Sequence, residues 1–306
     1  MNILKDSILN KKSGLLLYGI TPPKINTEDD KMILIANKQI ERLKDIDIDG
    51  LILYDIQDES SRTDSPRPYP FMPTLSPDDY SNIFLKELRI PKIIYKSVGK
   101  YTSDEFKNWI SKNEESIDCT VFVGTPSKYQ DTILSLNDAY KIKHELNSSI
   151  LLGGVTIPER HRKKGDEHIR LYSKIDKGCN FFISQCVYSL DNTKDFMSDY
   201  YYSSIDNNRE LFPIIFTLTP CGSLKTLQFM EWLGIDIPKC LQNDLKHSKD
   251  ILSKSIDICK TIAIELLEYN INKNIPIGFN IESVAIRKEE IEASIELAKD
   301  IRALIK

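Results

Sequence analysis

Eight short apolar runs, at residues 15–20, 50–54, 92–95, 120–123, 150–155, 181–184, 213–218 and 275–281, set the main constraint on how this chain can fold. Each is four to seven residues long and apolar almost throughout. A strand with one wet face alternates apolar and polar residues. A strand covered on both faces does not, so the runs predict a buried parallel sheet. Between them lie segments with helical spacing: Ile33, Ile35, Ile40, Leu43 and Ile46, then Phe106, Trp109 and Ile110, then Ile133, Leu136, Tyr140 and Leu146. The first seven runs start about 30 to 40 residues apart, the length of a strand, a helix and two loops. Eight such units predict an α/β fold, a single (β/α)8 TIM barrel domain over residues 1–306. The last interval is longer, with a helix around 224–233 and a long one over about 243–270, which predicts an extra helix before strand eight. An open doubly wound sheet is the rival. The 12 glycines include neither G-x-G-x-x-G nor G-x-x-x-x-G-K-[ST], so no nucleotide loop supports it. Residues 55–73, with Pro66, Pro68, Pro70 and Pro73, read as a long loop after strand two.

The composition, 41% hydrophobic and 28% charged, excludes a disordered or fibrous chain. No apolar run approaches the roughly 18 residues that span a bilayer, and the opening MNILKDSILNKKS lacks a signal-peptide core, so a cytoplasmic protein without a membrane partner is expected. The 45 acidic and 41 basic residues leave a formal charge of -4. Nucleic-acid binding normally uses a broad basic field, so a small-molecule ligand is the better expectation. The six cysteines form no C-x-x-C pair and no cluster with histidine, which predicts reduced, mostly buried thiols. Oligomeric state is open, although barrel enzymes often pair through their outer helices.

In barrel enzymes the site is built where strands end, so the polar residues directly after each apolar run are the candidates. They are Thr21; Asp55 and Gln57; Lys96 and Ser97; Thr125; Thr156, Glu159 and His161; Gln185; Thr217 and Thr219; and Asn280, Glu282 and Ser283. Together they predict a polar mouth of mixed charge suited to a polar organic ligand, with Asp55, Thr219 and Gln185 as substrate contacts. Gln185 can donate and accept at a heterocycle edge, or tie down a loop. Glu282 is the candidate acid or base, against a plain ion pair with Arg287. Of four histidines only His161 follows a strand; His144, His168 and His247 read as exposed. His161 with Glu159 does not make a metal site, and a hydrogen bond to a ligand is the expected role. Cys186 and Cys221 fall near strand ends but read as small core residues.

Gly154-Val155-Thr156-Ile157-Pro158-Glu159-Arg160-His161, followed by Lys174-Ile175-Asp176-Lys177-Gly178-Cys179-Asn180-Phe181-Phe182-Ile183-Ser184-Gln185, resembles the methylenetetrahydrofolate reductase family. That family carries a P-E-x-H segment after strand five, then K-[IV]-D-x-G-[AC]-[ND] leading into a strand that closes in [TS]-Q. Weaker echoes are Tyr18-Gly19-Ile20-Thr21-Pro22-Pro23, Arg62-Thr63, Val123-Gly124-Thr125, and Leu218-Thr219-Pro220 through Ile237-Pro238. The resemblance implies a (β/α)8 barrel that binds FAD, takes hydride from NAD(P)H and reduces 5,10-methylenetetrahydrofolate to 5-methyltetrahydrofolate. It implies that Gln185 meets the folate pterin, and that His161, Glu167 and Lys174 occupy flavin-binding positions, Lys174 suiting a phosphate.

Three departures accompany it. The family's strand-one motif is E-x-x-P-P, whose glutamate is the acid toward folate, and Gly19 stands in its place. Where the family has R-G-D beside the flavin, this chain has Val123-Gly124-Thr125, so Thr125 replaces a carboxylate at a cofactor position. A substrate-holding arginine at the end of strand eight aligns with Val284. Losing three charges while keeping Lys174 and Gln185 argues for altered chemistry or an altered flavin site. The leading expectation is a divergent reductase using NAD(P)H through FAD or directly, with Glu282 in place of the lost acid and Asp55 or Glu159 as rivals. The alternatives are a flavin-free folate-dependent one-carbon or methyl transfer, and a non-catalytic folate-binding protein.

Overall fold

The computed structural model describes residues 3–60, 63–125 and 132–306; Arg62, one of the weaker echoes above, lies outside them. All eight apolar runs are strands: β1 (Leu16–Ile20), β2 (Gly50–Leu53), β3 (Lys92–Ser97), β4 (Cys119–Val123), β5 (Leu151–Thr156), β6 (Cys179–Cys186), β7 (Ile214–Leu218) and β8 (Ile277–Glu282). They close into one barrel in chain order, every pairing parallel, with β1 against β8. This is a (β/α)8 TIM barrel.

The helices are α1 (Ile3–Leu9), α2 (Asp29–Lys44), α3 (Pro77–Asp79), α4 (Ser103–Asn113), α5 (Leu136–Glu145), α6 (Pro158–Lys164), α7 (Glu167–Ile175), α8 (Leu190–Asp206), α9 (Leu224–Trp232), α10 (Lys239–His247), α11 (Ile251–Asn270) and α12 (Lys288–Ile305). Local chemistry sets their ends. Thr102 opens α4 with a capping box: its hydroxyl accepts from the Glu105 backbone N–H while the Glu105 carboxylate accepts from the Thr102 N–H, and the helix then buries Phe106, Trp109 and Ile110. In α2 the buried stripe is Met32, Ala36, Ile40 and Leu43. Ile33, expected on that face, lies one helical step round from Met32 and is half exposed. The segment expected as one long helix over 243–270 is two, α10 and α11. It breaks because the Asp250 carboxylate accepts from the N–H groups of Leu252 and Ser253, starting a new helix. Thus α9, α10 and α11 all precede β8. Among the described residues no helix is long and apolar enough to cross a membrane. The six cysteines are free, five of them buried and Cys240 exposed.

Parity along the strands decides what fills the barrel. Leu15, Leu17, Ile52, Ile93, Val121, Phe181, Ile183 and Ile215 pack inside it, and Leu4 and Ile8 of α1 join them, closing the end at which the strands begin. The other parity packs against the helices: Leu16, Leu51, Leu53, Ile94, Phe122, Leu152, Phe182 and Phe216. At the opposite end of the interior, Tyr54 and Tyr95 meet edge to face with centroids 4.8 Å apart. There the lining turns from aliphatic to polar, and that end is the site.

Candidate functional site

Glu282 ends β8 with its carboxylate held inside the mouth. Its Oε1 accepts from the Cys186 thiol at 3.2 Å and the Thr219 hydroxyl at 3.3 Å, and those two groups are 3.1 Å apart. Burial raises the Glu282 pKa, while the hydrogen-bonding groups of Tyr54, Cys186, Thr219 and Asn280 pull it back. Burial also pushes the Cys186 thiol well up, so its sulfur is an S–H donor rather than a thiolate. One residue deeper on the same face, Asn280 donates to the Tyr54 hydroxyl at 2.9 Å and to Thr217 at 3.2 Å, and its own oxygen stays unpartnered among the described residues. The arrangement is a carboxyl group held toward its protonated form, amid donors, at a barrel mouth.

Gly19 belongs to the same cluster by what it lacks. In the β1–β8 register it pairs with Glu282, and a Cβ built on it would lie 2.7 Å from Tyr54 Cε2 and 2.9 Å from the Tyr54 hydroxyl. The Tyr54 ring therefore occupies the space into which a strand-one side chain would project. Tyr54 is the last residue of an apolar run, not one of the polar residues that follow it. Its parity with Ile52 was the available signal that it faces inward.

Other expected residues are held elsewhere. Asp55 turns away from the mouth: its carboxylate accepts from the Ser97 N–H at 2.8 Å and pairs with Lys100 at 2.7 Å, fastening the loop after β2 to the end of β3. Gln57 donates to the Gly124 carbonyl at 3.1 Å, bridging two loops of the rim. Lys96 is buried on the outer layer, 3.6 Å from Asp78 and over the rings of Tyr101 and Trp109. Gln185 donates to the Leu233 carbonyl at 3.4 Å, so its amide ties the end of β6 to the segment after α9. Glu159 is 5% exposed, with neither carboxylate oxygen hydrogen-bonded among the described residues. Burial pushes it up to about 8 against the pull of nearby backbone N–H groups, Tyr188 and Ser189 among them.

A cleft of about 570 Å³ lies between the proline-rich loop (Thr63, Ser65, Pro66, Pro68) and the end of α9 with the turn after it (Gln228, Glu231, Trp232, Gly234). The Trp232 indole N–H donates to the Ser65 carbonyl at 2.9 Å and pins the loop there. The Arg67 guanidinium lies 4.9 Å from the Phe229 ring and 5.3 Å from that of Trp232.

The family model described as methylenetetrahydrofolate reductase matches residues 140–296, more than half of the chain. The chain belongs to the methylenetetrahydrofolate reductase family. An uncharacterized protein from Clostridium thermocellum, whose structure binds two copies of 5-methyl-5,6,7,8-tetrahydrofolic acid, is 52% identical to it, with a TM-score of 0.88 and 99% of each chain covered. Riboflavin lyase, solved with modified FMN and riboflavin, is similar in fold at a TM-score of 0.53 and 9% identity, over 96% of this chain and 92% of that one. No curated protein sequence matches the chain.

The positions that the family resemblance links to flavin can be tested against this geometry. Glu167, 1% exposed, accepts from the Ile157 N–H at 2.8 Å and the Thr156 hydroxyl at 3.2 Å, with Arg160 3.7 Å away. Lys174 donates to the Val155 carbonyl, and burial lowers its pKa. The His161 ring turns to α8, its Nε2 3.0 Å from Asp199. Thr125, in place of a carboxylate, meets the Thr132 hydroxyl at 3.4 Å. Three of the four side chains have partners inside the protein, with one oxygen of Glu167 and Nδ1 of His161 left over, and the fourth has no charge to offer. The residues present do not fit a flavin held in the manner the resemblance implies.

Proposed function

We propose that this chain binds a reduced folate in the mouth at the carboxyl ends of β6, β7 and β8, and reduces its 5,10-methylene bridge to a 5-methyl group with NAD(P)H, in the cytoplasm. One observation carries this reading: Glu282, its pKa raised by burial, is the register partner of Gly19, the position where the family keeps its acid. Neighbouring strands lie about 4.8 Å apart, so a carboxyl on β8 reaches the region that one on β1 would serve. Opening the methylene bridge breaks a carbon–nitrogen bond, and the departing N10 amine needs a proton. Glu282 supplies it, generating an iminium at N5, and the nicotinamide hydride adds to the iminium carbon to give the methyl group. One proton and one hydride are consumed, and NAD(P)+ leaves.

Thr219 and Gln185 are the proposed substrate contacts, the Gln185 oxygen accepting from the pterin edge. The cleft between the proline-rich loop and α9 suits the rest of the folate. Its volume lies in the range of small-molecule sites, and Trp232 and the prolines offer flat apolar walls. Asp55 drops out as a substrate contact, since Ser97 and Lys100 already engage it. With the flavin positions engaged internally, hydride passes directly from nicotinamide to folate in this reading.

The same engaged positions favour a second reading, in which the folate pocket serves a flavin-free methyl or one-carbon transfer or binding alone. One experiment separates them. The purified protein is given 5,10-methylenetetrahydrofolate with NADH or NADPH, with and without added FAD, and nicotinamide oxidation is followed. Oxidation that depends on the folate and not on FAD supports direct reduction. Oxidation only with FAD restores the family's route. Folate binding by calorimetry without any oxidation leaves the second reading.

A further inference from the structure

Away from the mouth, the helices after β5 and β6 bring together two imidazoles and a carboxylate that sequence reading kept apart. His161 on α6, His168 on α7 and Asp199 on α8 each offer a ligand atom, and the three atoms lie within 4.8 Å of one another. His161 Nε2 is 3.0 Å from Asp199 Oδ2, and the two imidazole rings meet edge to face with centroids 5.5 Å apart. His161 is 5% exposed, His168 half-buried rather than exposed as its sequence context suggested, and Asp199 open to solvent. The cluster therefore has a rigid inner side and an accessible outer one. Both rings keep a buried Nδ1 with no hydrogen-bond partner among the described residues.

We propose that His161, His168 and Asp199 form a site for a borderline divalent transition-metal ion of the Zn2+ type, which cross-links α6, α7 and α8 and keeps a fourth position open to solvent. Two imidazoles and one carboxylate are a donor set that such ions take readily, whereas Mg2+ and Ca2+ call for oxygen ligands. Tetrahedral zinc, with bonds of about 2.0–2.2 Å, holds its ligand atoms about 3.4 Å apart. His161 and Asp199 need open by only a few tenths of an ångström from their present contact, and the His168 atom, within 4.8 Å of both, has to close in. The site touches neither Glu282 nor the cleft, so it is independent of the proposed reaction.

The test uses the full-length protein stripped with a chelator, titrated with Zn2+ by calorimetry and with Co2+ as a spectroscopic probe. Expected are one tight equivalent per chain, the intense visible absorption of four-coordinate cobalt, and a melting temperature raised by metal. His168→Gln and Asp199→Asn each change an accessible ligand, and each is expected to weaken binding by about tenfold or more. Circular dichroism checks that both variants fold; Cys240→Ser and His247→Gln, at exposed residues outside the cluster, leave the affinity unchanged. Absence of a tight equivalent in the wild type overturns the site. So does binding that survives unchanged in His168→Gln and Asp199→Asn.

Discussion

Around the rim of the barrel, the sector after β5 spends its polar groups on itself, while the sector from β6 to β8 turns them into the mouth. Glu167 takes the Thr156 hydroxyl and the Ile157 N–H, and Lys174 takes the Val155 carbonyl. These contacts hold α7 onto the end of β5. Across the barrel, Glu282, Thr219 and Cys186 meet one another at the mouth, and Asn280 and Tyr54 support them from below. Both sectors carry family residues. A charged position inherited from a family does its old work only if its side chain is free to face the ligand, and the internal hydrogen bonds decide that.

The sharpest way to break the contrast is Glu282→Gln. Removing a general acid costs about 100-fold or more in rate, so turnover should collapse while folate affinity, measured by calorimetry, stays within a few-fold. Lys174→Met in the opposite sector should lower the melting temperature and leave turnover within about twofold, because its ammonium serves a backbone carbonyl. If Lys174→Met lost turnover and Glu282→Gln kept it, the two sectors would have to exchange roles.

Glu159 gives a second, pH-dependent handle. Its folded pKa, about 8, lies above the 4.5 of an ordinary carboxyl, so the folded state holds the proton more tightly than the unfolded chain. The stability this provides is complete below pH 4.5 and lost as the pH climbs to about 8, by an amount of the order of a few kcal/mol. Melting temperatures of the wild type should fall across that window, and Glu159→Gln, neutral throughout, should flatten the profile. An unchanged slope in the variant would place the titrating group elsewhere.

A smaller effect tests the packing at β1. Gly19→Ala sets a methyl group against the Tyr54 ring and should cost about 1–3 kcal/mol in denaturant unfolding, a penalty largely relieved by pairing it with Tyr54→Ala. A fully stable Gly19→Ala protein would mean that the ring does not fill that space.

The barrel was legible because strands buried on both faces leave continuous apolar runs, and all eight runs are strands. Glu282 and Thr219 were legible for a related reason: a residue just past an apolar run sits at a strand's carboxyl end, and in a barrel that end is the mouth. Direction was not legible. Asp55 and His161 also follow strands, yet Asp55 answers the Ser97 N–H and His161 answers Asp199, partners set by tertiary packing 42 and 38 residues away in sequence. The Tyr54 contact with Gly19 depends on inward-facing positions of β1 and β2, and the break between α10 and α11 on a single capping carboxylate inside an otherwise periodic segment.

The most direct test of the account is a crystal structure of the protein with 5-methyltetrahydrofolate bound. The expected result is a pterin in the mouth, one edge at the Gln185 amide and its N5–N10 side facing Glu282 and Thr219, with Glu167 and Lys174 keeping their contacts to β5. A folate seated instead on the β5 sector, with Lys174 or His161 released to hold it and Glu282 away from the pterin, would contradict the account.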